Sequence, residues 1–397
     1  MIQSLKVEGL NEQFDYDLEF NKDLNIFTGT NGCGKTTLLK LIWYLISGNI
    51  HRISQEIPFK SVSIETDQFS LTLERFKYEP PPQHRVNGVR RSRVRARHRG
   101  PKIRIGISWK SNNKTENHEL NVKGFSTKVP VINLDRQIAS LGQDSLFFPT
   151  FRRIEGGFSI DSVSTENTED AAVVRLLSSP AEMLQTAMSQ FSEELSTDRH
   201  KFITSVSTKD IEELLPLKKI EIADKVNELY AELSLRIGKE VSSSDGLQPN
   251  SDHAISALEH IQDDLLETSK QRQKLENRMT VLDEYVQAFY KRQIKVAKGI
   301  QLGRKKEGNK AAIGANKLSS GEKQMLGFLC YNTFSDNTVI FIDEPELSLH
   351  QDWQDVLLPI SLKQETGNQF FVATHSEWIY GQFPDKEYIL NLENKNE

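Results

Sequence analysis

Short apolar runs set apart by polar turns mark both ends of this chain, and a long stretch of helical spacing fills its middle. Residues 1–7 alternate apolar and polar positions, as a half-buried strand does. Residues 24–27, 339–342 and 370–373 are apolar almost throughout, the pattern of strands covered on both faces, as in a parallel sheet. Residues 36–46 have the three- and four-residue spacing of a helix, and residues 387–392 read as one more strand. In the middle, residues 169–240 are helix-like, with apolar Val174, Leu177, Met183 and Leu184. From His253 to about Ala297, Leu258, Ile261, Leu265, Leu275, Met279, Leu282 and Val286 recur at mixed three- and four-residue steps, as a coiled-coil or bundle face would. Between these stretches, residues 238–252 are rich in Ser and Gly, contain Pro249, and predict a loop. A helix of ~45 residues spans only ~70 Å. The expectation is a short helical hairpin inserted into an α/β chain, with a lid packed on the remainder as the alternative.

The apolar strands frame the candidate chemistry. Gly29, Thr30, Asn31, Gly32, Cys33, Gly34, Lys35 and Thr36 fit the pattern G-x-x-x-x-G-K-[ST] between a strand and a helix. The glycines let successive backbone N–H groups turn toward phosphate oxygens, and the helix start adds its positive end. Asn31 through Thr37 are therefore expected to bind a nucleotide. Lys35 would reach the β- and γ-phosphates, and the Thr36 hydroxyl would bind Mg²⁺. Cys33 fits better as a small filler than as a redox sensor. The strand at 339–342 runs into Asp343 and Glu344, followed by Pro345. Asp343 is placed to hold Mg²⁺ through water, and Glu344 to polarise an attacking water as a general base. His375 follows the strand at 370–373, where ligands bind in open α/β sheets, and reads as a sensor of the γ-phosphate.

In order and spacing these residues resemble an ABC-type ATPase head of the Rad50, SMC, RecF and OLD group. The resemblance covers residues 1–75 and 300–397, and the middle only by analogy. It implies that Lys35 and Thr36 belong to Walker A and that Asp343 and Glu344 form Walker B. It further implies that Leu318, Ser319, Ser320, Gly321 and Glu322 are the signature motif, with residues 347–350 the D-loop and His375 the switch histidine. In this family the signature residues meet the γ-phosphate bound by the opposite protomer, so Ser319, Ser320 and Gly321 would serve a second copy. His350 departs from the aspartate that many members carry at the end of the D-loop. Arg152 and Arg153 stand where the Q-loop glutamine is expected, with Gln137 a rival placement. The resemblance implies an enzyme that hydrolyses ATP with Mg²⁺.

Composition changes this picture in three places. The two cysteines, Cys33 and Cys330, give neither a disulfide framework nor a zinc hook of the Rad50 type. Charged residues at 26%, hydrophobic ones at 37%, and no apolar run near ~20 residues suit a cytoplasmic protein. Against a net charge of −5, residues 85–104 carry eight arginines and a lysine with no acid. That segment fits a nucleic-acid contact, an acidic or DNA-mimicking protein partner, or a solvated loop. Apart from Asp15 and Asp17 near the start, no Asp-x-Asp, HNH-like or His/Cys metal spacing suggests a nuclease, and no Toprim segment follows His375, so no nuclease activity is expected of the chain itself. The arrangement resembles the ATPase subunits of two-gene bacterial anti-phage systems, PARIS first and Septu second. The expected role is a sensor and scaffold that dimerises head to head and holds or releases a separate Toprim- or HNH-like effector. The alternative is a RecF- or Rad50-like repair ATPase on DNA ends or gaps. The expected division is an N-terminal lobe at 1–165 with the basic loop 80–104, a helical insertion at 166–300, and a C-terminal lobe at 301–397.

Overall fold

The computed structural model describes residues 1–76, 102–110, 114–121, 129–150, 180–204, 208–244, 251–290, 294–297, 300–302, 313–347, 349–364 and 366–390. It divides into two compact units, one made of Met1–Ser205, Asn337–Asp355 and Gly367–Glu397, the other of Val206–Asp336 and Val356–Thr366. The first unit opens with β1 (Ile2–Leu10), β2 (Phe14–Glu19), β3 (Leu24–Thr28), α1 (Lys35–Ile46), α2 (Ile50–Glu56), β4 (Ser61–Thr66) and β5 (Phe69–Phe76). It continues through β6 (Lys102–Trp109), β7 (Lys114–Asn121), α3 (Val129–Leu141), β8 (Ser145–Phe148), α4 (Pro180–Leu195) and β9 (His200–Phe202). The second unit holds α5 (Thr208–Ser244), α6 (Ser251–Tyr290), β10 (Ile294–Ala297), β11 (Ile300–Leu302), β12 (Ile313–Gly314) and α7 (Ser320–Thr333). The chain then returns through β13 (Val339–Asp343), α8 (Gln351–Lys363), whose residues from Val356 on belong to the second unit, β14 (Gln369–Ala373), α9 (Glu377–Tyr380) and β15 (Glu387–Ile389).

Two six-stranded sheets build the first unit. One, in the order β2-β1-β4-β5-β6-β7, is antiparallel and alternates along its strands. Val62 and Ile64, Leu71 and Leu73, and Ile103, Ile105 and Ile107 are buried on one face, while the intervening Ser63, Thr72 and Arg104 are polar. The other, in the order β15-β3-β14-β13-β8-β9, is parallel throughout. Every residue of β3, β8, β13 and β14 is buried, as a sheet covered on both faces requires. Helix α1 is apolar and buried nearly all round, and its side chains join one core with inward residues of both sheets. The register places Phe202, Phe147, Phe341 and Phe371 side by side across four parallel strands. Their ring centroids are 5.1, 5.9 and 5.2 Å apart, and Trp43 of α1 lies 5.4 Å from Phe147.

The second unit is dominated by the antiparallel pair α5 and α6, bridged by Arg236 to Asp264 at 2.8 Å and by Arg272 to the Tyr230 hydroxyl at 2.9 Å. Leu233, Leu282 and Val286 are buried in it. Leu258 and Leu265, expected on the same face, are instead exposed. Two antiparallel helices share a single seam, and these leucines sit one position off the row that fills it. Helix α5 also runs through Gly238 to Ser244, where the loop was expected to begin. An exposed glycine costs a helix only about 1 kcal/mol, which the packed seam of a long helix offsets. Two parts of the expected helical stretches are strands. His200–Phe202 is β9, and Ile294–Ala297 is β10, where buried Ile294 and Val296 flank an exposed Lys295 with the period of two that a strand demands. Val174, Leu177, and most of the basic segment lie outside the described residues. Lys102 and Arg104 fall on β6, and Arg104 pairs with Glu74 at 3.0 Å beside the Phe76 ring.

Candidate nucleotide site

The parallel sheet gathers the candidate residues at one edge. Strands β3, β14, β13 and β8 are consecutive neighbours pointing the same way, so the loops after them emerge side by side. The phosphate loop leaves β3, His375 follows β14, Asp343 ends β13, and Thr150 follows β8. This is the crevice outside the carboxyl ends of the strands, with α1 starting from it.

The loop itself is built on backbone that only glycine takes easily. Gly29 has φ 133°, and a Cβ there would meet the Leu390 carbonyl oxygen at 2.2 Å. Gly32 has φ 86° with open space around it, which leaves its backbone accessible to a ligand. Gly34, at φ 91°, caps α1. Lys35 is buried, and its Nζ lies 3.0 Å from the Gly29 carbonyl and 3.2 Å from that of Thr30. The Cys33 thiol is buried beside it, and the Tyr16 hydroxyl donates to the Cys33 carbonyl at 2.7 Å. Asn11 donates to Thr37 Oγ1 at 3.3 Å, so the first hairpin braces the loop from below.

Asp343 is the centre of the site. It is 2% exposed, its Oδ1 accepts from the Thr36 hydroxyl at 2.9 Å, and its Oδ2 accepts from the Thr150 hydroxyl. Two hydroxyls and a carboxylate next to a phosphate loop are the hard oxygen donors that Mg²⁺ takes, with water and phosphate filling the remaining positions. Thr36 and Asp343 therefore fit the ion, and so does Thr150, which the sequence pattern did not single out. The signal available was its place just past an apolar run ending in Pro149. Glu344 is half-buried, and its backbone lies in the left-handed region at φ 48°. Its N–H donates to the Ala373 carbonyl at 2.8 Å. His375 is exposed. Gln137 lies toward the amino ends of the strands, away from this crevice. Its helix α3 meets His200 through the Ala139 carbonyl, and His200 pairs with Ser145 at the amino end of β8. Arg152 and Arg153 lie outside the described residues.

In the second unit, Ser319 caps α7. Its side chain accepts from the Glu322 N–H at 3.3 Å while Glu322 accepts from the Ser319 N–H at 2.7 Å. This reciprocal pair fixes the helix start at Ser320 and Gly321, where free N–H groups can meet an anion. Leu318 is buried below them.

The family model described as AAA ATPase domain matches residues 1–380. The Septu protein PtuA of Bacillus thuringiensis is 35% identical over 66 residues, 16% of this chain and 17% of that protein. The DNA replication and repair protein RecF of Renibacterium salmoninarum is 32% identical over 85 residues, 21% of each. The chain thus spans about a fifth of the length of the curated relatives it matches. Among solved structures, the Smc head domain with an extended coiled coil from Pyrococcus furiosus, bound to the C-terminal domain of ScpA, covers 96% of this chain and is covered over 91% of its own, at 12% identity and a TM-score of 0.35. The family match, spanning the phosphate loop through His375, identifies the chain: it belongs to the AAA ATPase domain family.

Proposed function

We propose that this chain binds and hydrolyses ATP with Mg²⁺ at a site that a second copy completes. The observation that carries the reading is the meeting of Thr36 and Thr150 on buried Asp343 beside the Lys35 loop. In this reading the N–H groups of Asn31 to Thr37, with Lys35, hold the phosphates, and Thr36 and Asp343 hold the metal. Bound Mg²⁺ supplies neutralisation of charge on the β- and γ-phosphates. Glu344 accepts a proton from the attacking water, and His375 donates toward the γ-phosphate. Ser319, Ser320 and Gly321 of a second copy close the site.

At the level of the organism, the proposal is a sensor and scaffold subunit of a bacterial anti-phage complex. It dimerises head to head and holds or releases a separately encoded Toprim- or HNH-like nuclease or toxin. The match to the Septu protein PtuA supports this reading. The free, buried thiols of Cys33 and Cys330 suit a reducing cytoplasm, and among the described residues no helix is long and apolar enough to cross a membrane. The basic segment from Arg85 to Arg104 would meet DNA or an acidic, DNA-mimicking protein. The match to RecF is the ground for a second reading, in which the ATPase works on DNA ends or gaps.

Purified protein tests the core of this. Lys35→Ala should lose ATP affinity, and Glu344→Gln should keep affinity but lose at least 100-fold in turnover. Normal turnover in Glu344→Gln would remove Glu344 from its role. Hydrolysis stimulated several-fold by DNA would favour the RecF-like reading, and co-purification with the product of a neighbouring gene the defence reading.

A further inference from the structure

Backbone pairing between β13 and β14 ends at Asp343 and Ala373, with one more bond from the Glu344 N–H to the Ala373 carbonyl. Past that point the two turns diverge, and two side chains take over. Glu346, half-buried in the one-turn helix Pro345–Leu347, uses both carboxylate oxygens. Its Oε2 accepts from the Thr374 hydroxyl at 2.8 Å, and its Oε1 accepts from the His375 backbone N–H at 2.6 Å. Gln354, in α8, uses both ends of its amide. Its Nε2 donates to the Leu349 carbonyl at 2.8 Å and to the Glu346 carbonyl at 3.3 Å, while its Oε1 accepts from the Ser376 hydroxyl at 2.6 Å. Thr374, His375 and Ser376 are thus each gripped, in succession, from the segment that follows Glu344.

His375 is exposed, so packing does not fix where its ring sits; the backbone beneath it must. An ionised carboxylate is the acceptor-only group that two converging donors require, and charge-assisted bonds of this length are the strong ones. A glutamine at 346 has one acceptor oxygen and would face the second donor with its own NH₂. We infer that Glu346 and Gln354 are positioning residues, which hold the His375 turn in fixed register against the Glu344 turn for ATP hydrolysis. Neither is among the residues proposed to hold the nucleotide. The inference rests on the reading of His375 as the γ-phosphate sensor.

Steady-state kinetics of Glu346→Gln, Gln354→Ala, His375→Ala and the double variant Glu346→Gln/His375→Ala test it, with thermal melts to verify folding. The expected result is a fall in kcat of about tenfold or more for both Glu346→Gln and Gln354→Ala, with KM for ATP within about twofold of the parent. The double variant should be no slower than His375→Ala, because Glu346 acts through that residue. Unchanged kcat in the two positioning variants, or losses that multiply in the double variant, would overturn the inference while leaving the sensor in place. Full turnover in His375→Ala would instead overturn the sensor reading. If Glu346→Gln fails to fold, Gln354→Ala alone decides through the same split of kcat from KM.

Discussion

Glu344 is the residue where local rules and the proposed function collide. A glutamate at φ 48° costs about 1 kcal/mol relative to ordinary backbone, because its Cβ crowds the following peptide. Asn and Asp tolerate this region, and Asn11, Asp198 and Asn337 occupy it here. Glu12, at φ 65°, occupies it as well, in the turn of the first hairpin. Asp343, beside Glu344, is an acid whose setting satisfies it on both oxygens. Thr150→Val keeps the shape of the side chain and removes one of its two donors. Loss of a hydrogen bond to a buried carboxylate costs about 1–3 kcal/mol. The expected outcome is a lower melting temperature and a higher Mg²⁺ requirement for ATP turnover. A variant indistinguishable from the parent in both measurements would show that the Thr150 contact contributes nothing.

At the scale of elements, the parallel sheet is held by its aromatic row and by one buried polar chain. The Trp43 indole N–H donates to Ser145 Oγ at 3.0 Å, Ser145 Oγ lies 2.7 Å from His200 Nδ1, and His200 Nε2 lies 3.1 Å from the Ala139 carbonyl. The imidazole fits this chain as its neutral tautomer, accepting at Nδ1 and donating at Nε2. Burial, opposed by its bond to Ala139, holds the His200 pKa at about 4, below its ordinary 6.5. Below pH 6.5 the unfolded chain therefore takes up a proton that the folded one refuses. Stability contributed by neutral His200 is full above pH 6.5 and is lost as pH falls through about 4, on the order of 3 kcal/mol. Denaturant titrations at pH 7 and pH 4.5 should show this loss, and His200→Gln should flatten it. Parallel pH curves for the two proteins would assign the acid sensitivity elsewhere. The strand carrying His200 was missed because three residues are too few to show a period, and β9 exists only through its pairing with β8.

At the scale of the molecule, the phosphate loop belongs to one unit and the Ser319–Gly321 helix start to the other. The proposed second copy makes a prediction that a self-sufficient chain would not meet. Lys35→Ala should disable one half-site, and Gly321→Asp the other, since an acid in the first turn suits the helix but repels phosphate. Mixing the two inactive proteins should restore turnover to roughly a quarter of the parent's, as random C2 dimers contain one intact composite site in half of the pairs. No recovery on mixing would argue that each chain completes its own site.

The sequence by itself determined the parts whose chemistry is local. A glycine loop ending in Lys35 and Thr36, a strand ending in Asp343 and Glu344, and apolar runs covered on both faces all follow from neighbours within a few residues, so spacing alone exposes them. The capping pair Ser319 and Glu322 is local in the same sense. Tertiary structure decided what depends on distant partners. Leu258 and Leu265 carry the right spacing for a seam, yet which row is covered depended on how α5 lies against α6. Thr150 and Glu346 show nothing in their immediate sequence that marks them. They became candidate site residues only when parallel pairing set β8, β13 and β14 side by side, bringing Thr150 to Asp343 and Glu346 to His375 across separations that no local pattern encodes.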